Sequence, residues 1–327
     1  MRTRGRADII KSKNHYLGMV KYPLPKALVA TTTITDPEPT SYSVASKSPE
    51  WRITMNTEFT ALLQNGTWNL SHPRPNINLV GSKWVFRIKR KADGSIEHYK
   101  ARLIAKGFHQ QHGVDYSETF NPVVKPVTIR IVLSIAVSFS WNIRQLNVTK
   151  AFLHGTLTKD VYMTQPLGFT HPSFLNHICH LKKAIYSLKQ APRAWYSRLS
   201  TQLLHLCFVA CKSDTSVFIY HCGHDLIMFL IYVDDIIVIG PNSPLIDRLI
   251  TTLQDDFAIK NLGPIHFFLG VEAINADEGL YVSQRRYITD LLKKHNMHEA
   301  KPITSLWPPQ LFYHKLLVLF FRIPAPI

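Results

Sequence analysis

The sequence predicts a mixed α+β fold in which strands and helices follow one another irregularly, not as repeated βαβ units. Three observations carry that expectation. Lys83–Arg90 and Tyr99–Ala105 alternate apolar and basic residues across a turn-like Ala92-Asp93-Gly94-Ser95, the pattern of a hairpin. Leu226–Ile239 holds two apolar strand runs that meet at Asp234-Asp235 and close at Gly240. Around them, apolar residues at three- and four-residue spacing mark amphipathic helices.

In chain order, residues 1–38 read as a solvated basic linker. Arg2, Arg4, Arg6, Lys11, Lys13, Lys21 and Lys26 meet only Asp8 up to Thr35, and Pro23, Pro25 and Pro37 interrupt any long helix. No apolar stretch of a secretory signal follows. After the basic hairpin, Thr128–Ser140 places Ile129, Leu133 and Ala136 on one helical face, with Pro126 where a first turn tolerates it. Arg144–Val148 is a short strand. Ala194–Leu206 reads as a helix with Tyr196, Leu199, Leu203 and Leu206 on one side. Pro244–Phe257 is a second amphipathic helix. Phe267–Val271 and Leu280–Val282 form a second hairpin, and Arg286 to His295 a last helix. Residues 305–327 form an atypical tail: Leu306-Trp307-Pro308-Pro309-Gln310 leads into the apolar run Leu311–Phe321. That run is too short for a hydrocarbon core needing about 20 residues, so no membrane partner is expected.

Composition narrows the function classes. The 327 residues carry 38 Lys and Arg against 22 Asp and Glu, a net charge of +16 that favours a polyanionic partner. Hydrophobic residues make up 46%, which excludes a disordered or collagen-like chain. Four cysteines in this length give no disulfide framework. A reducing, intracellular setting, cytoplasm or nucleus, is the expectation.

Two constellations could carry chemistry. Adjacent carboxylates between apolar strands suit a divalent metal, because Mg²⁺ takes hard oxygen ligands and shares them with a substrate's phosphates; an acidic hairpin tip is the plainer alternative. His205, Cys207, Cys211, His221, Cys222 and His224 include metal-ligand types, but their spacing fits no usual zinc pattern, and free cysteines explain them better. The hairpin's Lys83, Arg87, Lys89, Arg90, Lys91, Lys100, Arg102 and Lys106 oppose only Asp93 and Glu97. Strand alternation should gather many of these cations on one side, where they could neutralise phosphates.

Several blocks, in order, resemble the reverse transcriptases of copia-type long-terminal-repeat retrotransposons. They include KWVFRIK at 83–89, YKARLIAKGF at 99–108, TFNPVV at 119–124, QLNVTKAFLHG at 145–155 and VYMTQP at 161–166. LKQAPRAWY at 188–196, YVDD at 232–235 and FLGVE at 268–272 complete the series. The resemblance spans about 39–304 and implies a right-hand polymerase. Its fingers would lie at about 39–125, a ferredoxin-like palm at about 126–260, and a connection or partial thumb at about 261–304. It implies metal binding by Asp234 and Asp235, with Asp234 the more direct ligand, and two Mg²⁺ ions in an active member. It further implies that Phe152 gates the nucleotide sugar, that Gln190 lines the nucleotide pocket, and that Arg102 and Lys89 grip the triphosphate. Phe268, Leu269 and Gly270, with the residues up to Glu272, would brace the primer end.

One position departs from the family pattern. Asn147 stands where the family has the aspartate that bridges both metals. An amide carbonyl can coordinate Mg²⁺ but brings no negative charge to hold two divalent ions together. The expectation is therefore a reverse transcriptase domain of a retrotransposon Pol polyprotein, with an RNA or DNA template, a DNA primer and deoxynucleoside triphosphates as partners, catalytically crippled as it stands. The alternative is a non-catalytic nucleic-acid-binding remnant of the same fold.

Overall fold

The computed structural model describes residues 37–91, 95–276, 279–297 and 299–300. The expected basic linker up to its last two residues, the apolar tail, and residues 92–94 of the hairpin turn lie outside them.

The described chain opens with α1 (Tyr42–Ala45) and α2 (Pro49–Gln64). Ser48 caps α2 by accepting the Trp51 N–H, and Pro49 fills the first turn, where no amide donor is missed. Trp51, Met55, Glu58 and Leu62 form its buried stripe, so this helix carries one carboxylate into the core. Then come β1 (Trp68–Ser71), β2 (Leu79–Val80), β3 (Ser82–Arg90) and β4 (Ile96–Ala105). The expected basic hairpin is the antiparallel β3–β4 ribbon, with Trp84 opposite Leu103 and Phe86 opposite Ala101. Those four residues are buried beneath α2, which leaves Arg87 and Lys100, an adjacent cross-strand pair, together with Lys89 and Arg102 on the other face.

The rest of the chain builds a six-stranded sheet with its covering helices, completes a four-stranded sheet and forms a three-stranded one. In order it comprises α3 (Pro126–Ser138), β5 (Asn142–Val148), β6 (Thr156–Met163), β7 (Ile178–Lys183) and α4 (Ala191–His205). Next are β8 (Val209–Ala210), β9 (Val217–Cys222), β10 (Asp225–Tyr232), β11 (Asp235–Gly240) and α5 (Ser243–Asp256). The described elements end with β12 (Ile259–Pro264), β13 (Phe267–Phe268), β14 (Val271–Ala276), β15 (Gly279–Ser283) and α6 (Arg285–Lys294). An antiparallel six-stranded sheet runs β12-β5-β11-β10-β9-β8, a four-stranded one runs β1-β7-β6-β2, and a three-stranded one runs β13-β14-β15. No described helix is long and apolar enough to cross a membrane.

Both faces of the six-stranded sheet are buried, which is why β10 and β11 read as nearly continuous apolar runs. Ile227, Phe229, Ile231, Ile236 and Val238 pack with Trp195, Leu199 and Leu203 of α4 and with Ile246, Ile250 and Leu253 of α5. The alternate residues Met228, Leu230, Ile237 and Ile239 pack with Val132, Leu133 and Ala136 of α3. Asp214 ties α3 in place from a distant loop, accepting the Lys125 N–H at 2.9 Å and the Thr128 hydroxyl at 2.7 Å. Gly155 follows the turn Ala151–His154; a Cβ there would lie 2.7 Å from the Trp195 nitrogen, so only glycine lets this turn approach α4.

Three sequence expectations need correction. The apolar side of α4 centres on Trp195, which is fully buried, whereas Tyr196 and Leu206 lie at its margin. Phe267–Val271 is not one strand: Phe268 pairs with Val271 across Leu269-Gly270, both at positive φ, and the long hairpin is β14–β15. Asp235 is the first residue of β11, so the turn between the apolar strands is Val233-Asp234 rather than the two aspartates.

Core truncation should separate these layers. Phe229→Ala is expected to cost about 3–5 kcal/mol in urea unfolding, and Leu204→Ala, on the exposed side of α4, at most about 0.5 kcal/mol.

Candidate active site

The β10–β11 turn fixes the two aspartates. Val233 has φ +57°, an unfavourable backbone for a β-branched side chain, and three hydrogen bonds hold the turn there. The Val233 N–H donates to the Pro122 carbonyl at 2.9 Å, the Trp195 indole N–H donates to the Val233 carbonyl at 2.7 Å, and the Val148 N–H donates to the Asp234 carbonyl at 2.7 Å. Asp235 then lies directly opposite Asn147 on β5, and opposite residues share a face. The Asn147 amide Nδ2–H donates to Asp235 Oδ1 at 3.0 Å. Burial raises the Asp235 carboxyl above its ordinary pKa; the Asn147 hydrogen bond works against that rise, and the neighbouring Asp234 adds to it.

The expected triphosphate side gathers around Tyr186. The Arg102 guanidinium sits 4.8 Å from the centre of the Tyr186 ring, and Phe152 meets the same ring edge-on at 5.4 Å. The Ala105 N–H donates to the Tyr186 carbonyl at 3.0 Å, fastening this loop to β4. Lys100 and Tyr186 both lie within electrostatic reach of Asp234 and of buried Glu58. Burial holds the Lys100 ammonium below its ordinary pKa, and Arg102 and Lys89 reinforce this by repulsion. Lys89 is exposed on β3.

Gln190 precedes α4, and its side chain is engaged at both ends. Its amide donates to the Asp115 carbonyl at 3.0 Å, and its oxygen accepts from Gln110 at 3.0 Å. Phe268 is buried and meets Tyr232 edge-on at 6.3 Å; Tyr232 is the cross-strand partner of Asp235. Leu269 and Gly270 form the adjoining β13–β14 turn. The fold thus connects the carboxylate pair to Phe152, Arg102 and Lys100 on one side and to Phe268 on the other.

The donors around the turn are hard oxygens, the class that suits Mg²⁺. Among the described residues, no cluster of three or more carboxylate, histidine or cysteine ligands could hold a metal ion, and the His205–His224 constellation forms none. Asp234 and Asp235 thus bring two carboxylates to the turn, and Asn147 beside Asp235 adds an amide, not a third carboxylate. Sequence reading missed Glu58, Tyr186 and Trp195. Glu58 alone had a visible signal: a carboxylate on the apolar stripe 51/55/58/62 of α2.

The raised Asp235 pKa fixes the sign of a pH effect. A carboxyl with a raised folded-state pKa favours the folded state fully below its unfolded pKa and loses that contribution as pH rises through the folded value. Asp235→Asn should therefore melt about 1–2 °C higher than the parent at pH 7, and this gain should vanish as pH falls into the ordinary carboxylate range. Thermal melts of both proteins across pH 4–7.5 check it, with pH values chosen on the order of the carboxylate range.

Comparison with known proteins identifies the family. Residues 65–307 match the family model described as reverse transcriptase (RNA-dependent DNA polymerase). The Retrovirus-related Pol polyprotein from transposon RE1 of Arabidopsis thaliana is 46% identical over 310 residues, 94% of this chain and 20% of that protein. Transposon RE2 of the same plant is 46% identical over 88% of this chain and 20% of its own length. The Pol polyprotein from transposon TNT 1-94 of Nicotiana tabacum is 37% identical over 83% of this chain and 21% of its own. The chain thus spans about one fifth of the length of these relatives. It belongs to the reverse transcriptase family, in its copia-type retrotransposon branch.

Proposed function

We propose that this chain is the polymerase domain of a retrotransposon Pol polyprotein, built to extend a DNA primer on an RNA or DNA template, and that Asn147 cripples it. The observation that carries this reading is the turn that places Asp235 beside Asn147 and Asp234 within electrostatic reach of Lys100. In the right-hand arrangement, the β3–β4 ribbon belongs to the fingers, the six-stranded sheet to the palm, and β14, β15 and α6 to a partial thumb.

In the reaction, the primer 3′-hydroxyl oxygen attacks the α-phosphorus of a deoxynucleoside triphosphate. The bond to the bridging oxygen breaks, pyrophosphate leaves with that electron pair, and the hydroxyl proton passes to solvent water. Asp234 and Asp235 would hold Mg²⁺, which stabilises the attacking and leaving oxygens when bound. Arg102 and Lys89 neutralise the triphosphate, and Lys100 adds to that field. Phe152, seated on Tyr186, fills the space of a ribose 2′-hydroxyl. Gln190 lines the nucleotide pocket, already oriented by Asp115 and Gln110. Phe268, Leu269 and Gly270 brace the primer end. Asn147 supplies neither the charge nor the second oxygen of a carboxylate, and its N–H donates to Asp235 Oδ1.

The second reading is a nucleic-acid binder without turnover. The cation face of the β3–β4 ribbon supports it, because that face needs no carboxylate at residue 147.

Primer extension on an RNA template, in Mg²⁺ and in Mn²⁺, decides between them. Asn147→Asp is expected to extend about 10²–10³ times faster than the chain as given. Comparable extension by both would overturn the impairment; no extension by either would favour the binder. For the binding face, Lys89→Ala and Lys100→Ala should each reduce the slope of log affinity against log salt by about 1 unit, measured by fluorescence anisotropy on a primer–template duplex.

A further inference from the structure

Glu58 faces the cations of the ribbon through Lys100, but its closest partner lies elsewhere. Its side chain is 7% exposed, in the core beneath the β3–β4 ribbon, and its Oε2 lies 2.7 Å from Lys150 Nζ. Its other oxygen, Oε1, is buried without a hydrogen-bond partner. A buried carboxylate with one oxygen unsatisfied is costly to keep, so its position calls for a reason beyond core filling.

Lys150 supplies that reason. Its backbone is left-handed, φ +55°, and it starts the tight turn Ala151–His154 that carries Phe152. A lysine prefers this backbone no more than other non-glycine residues do, so the turn needs outside support. The same helix holds the far end of the turn: Asn65, the C-cap of α2, donates its side-chain amide to the Leu153 carbonyl at 2.9 Å. Lys183 in turn donates to Asn65 Oδ1 at 2.9 Å. Helix α2 thus grips the four residues between Lys150 and Leu153 at both ends, through a charge pair at one and an amide at the other. Phe152 lies inside that grip, with its ring against Tyr186.

We propose that Glu58 is a positioning residue that, through Lys150, fixes the turn bearing Phe152 and so sets how strictly the nucleotide site separates deoxyribose from ribose. This rests on the reading of Phe152 as the sugar gate. Glu58 touches no reacting atom; its effect is the angle and rigidity of the Phe152 ring, and a displacement of about 1 Å in such a group is enough to change selection strongly.

Two readouts separate the proposal from the reading beneath it. The first is hydrogen exchange of the backbone amides of residues 150–155 in the full chain. Glu58→Gln and Lys150→Met should each speed exchange there about tenfold, the double variant should add little more, and Lys150→Arg, which keeps the charge, should retain protection. The second is binding of a deoxynucleoside triphosphate against its ribonucleoside counterpart, on a primer–template duplex with a dideoxy-terminated primer. Glu58→Gln should lower the ratio of the two dissociation constants about tenfold and leave the deoxynucleotide affinity nearly unchanged. Unchanged exchange at 150–155, or a loss of protection spread evenly over the protein, overturns the proposal. Faster exchange with no sugar discrimination in the parent chain supports the grip of α2 on the turn and overturns the Phe152 gate.

Discussion

The site depends on holding one unfavourable turn. Val233 occupies a left-handed backbone that its branched side chain resists, at a cost of about 1–3 kcal/mol. The Pro122 carbonyl, the Trp195 indole and the Val148 amide come from three separate parts of the chain, and together they define where the turn can sit. Register follows from that. A slip of one residue between β10 and β11 would turn Asp235 to the opposite face and exchange the side chains that each buried face presents to its covering helices. The buried faces of the sheet and the geometry of the carboxylates are therefore the same constraint.

Charge is the second organising element. Lys89, Lys100 and Arg102 press on one another across the face of the β3–β4 ribbon, and the carboxylates of Asp234 and Glu58 offset them. With an amide at Asn147, this region carries one negative charge fewer than three carboxylates would give. The residue at 147 leaves the cationic face of the ribbon as it is, so the polymerase and binder readings rest on the same set of charges.

Much of this was legible from the residues because it is local. Alternation in Lys83–Arg90 and Tyr99–Ala105 foretold the ribbon, and the apolar runs around Asp234 foretold a strand pair. The Asn147 departure was visible in one letter, and the pairing with Asp235 confirms that the two residues meet. What sequence could not supply is held by long-range partners. The side chain of Asp214 secures the start of α3 from 86 residues beyond Thr128 in the sequence. Trp195 reads as one more apolar helix residue until its indole N–H finds the Val233 carbonyl. The Leu269-Gly270 turn was hidden because Leu269 adopts a left-handed backbone that its side chain does not favour.

The hydrogen atom of Gly155 links these parts mechanically. Ala194 and Trp195 lie so close that a methyl group in its place would have to push α4 outward or lift the preceding turn. Pushing α4 would draw the Trp195 indole from the carbonyl that secures Val233; lifting the turn would carry Phe152 with it. A single added carbon would therefore disturb the turn that holds Asp234 and Asp235 and the turn that carries Phe152 together. Position 155 acts as the common bearing on which both halves of the site are aligned.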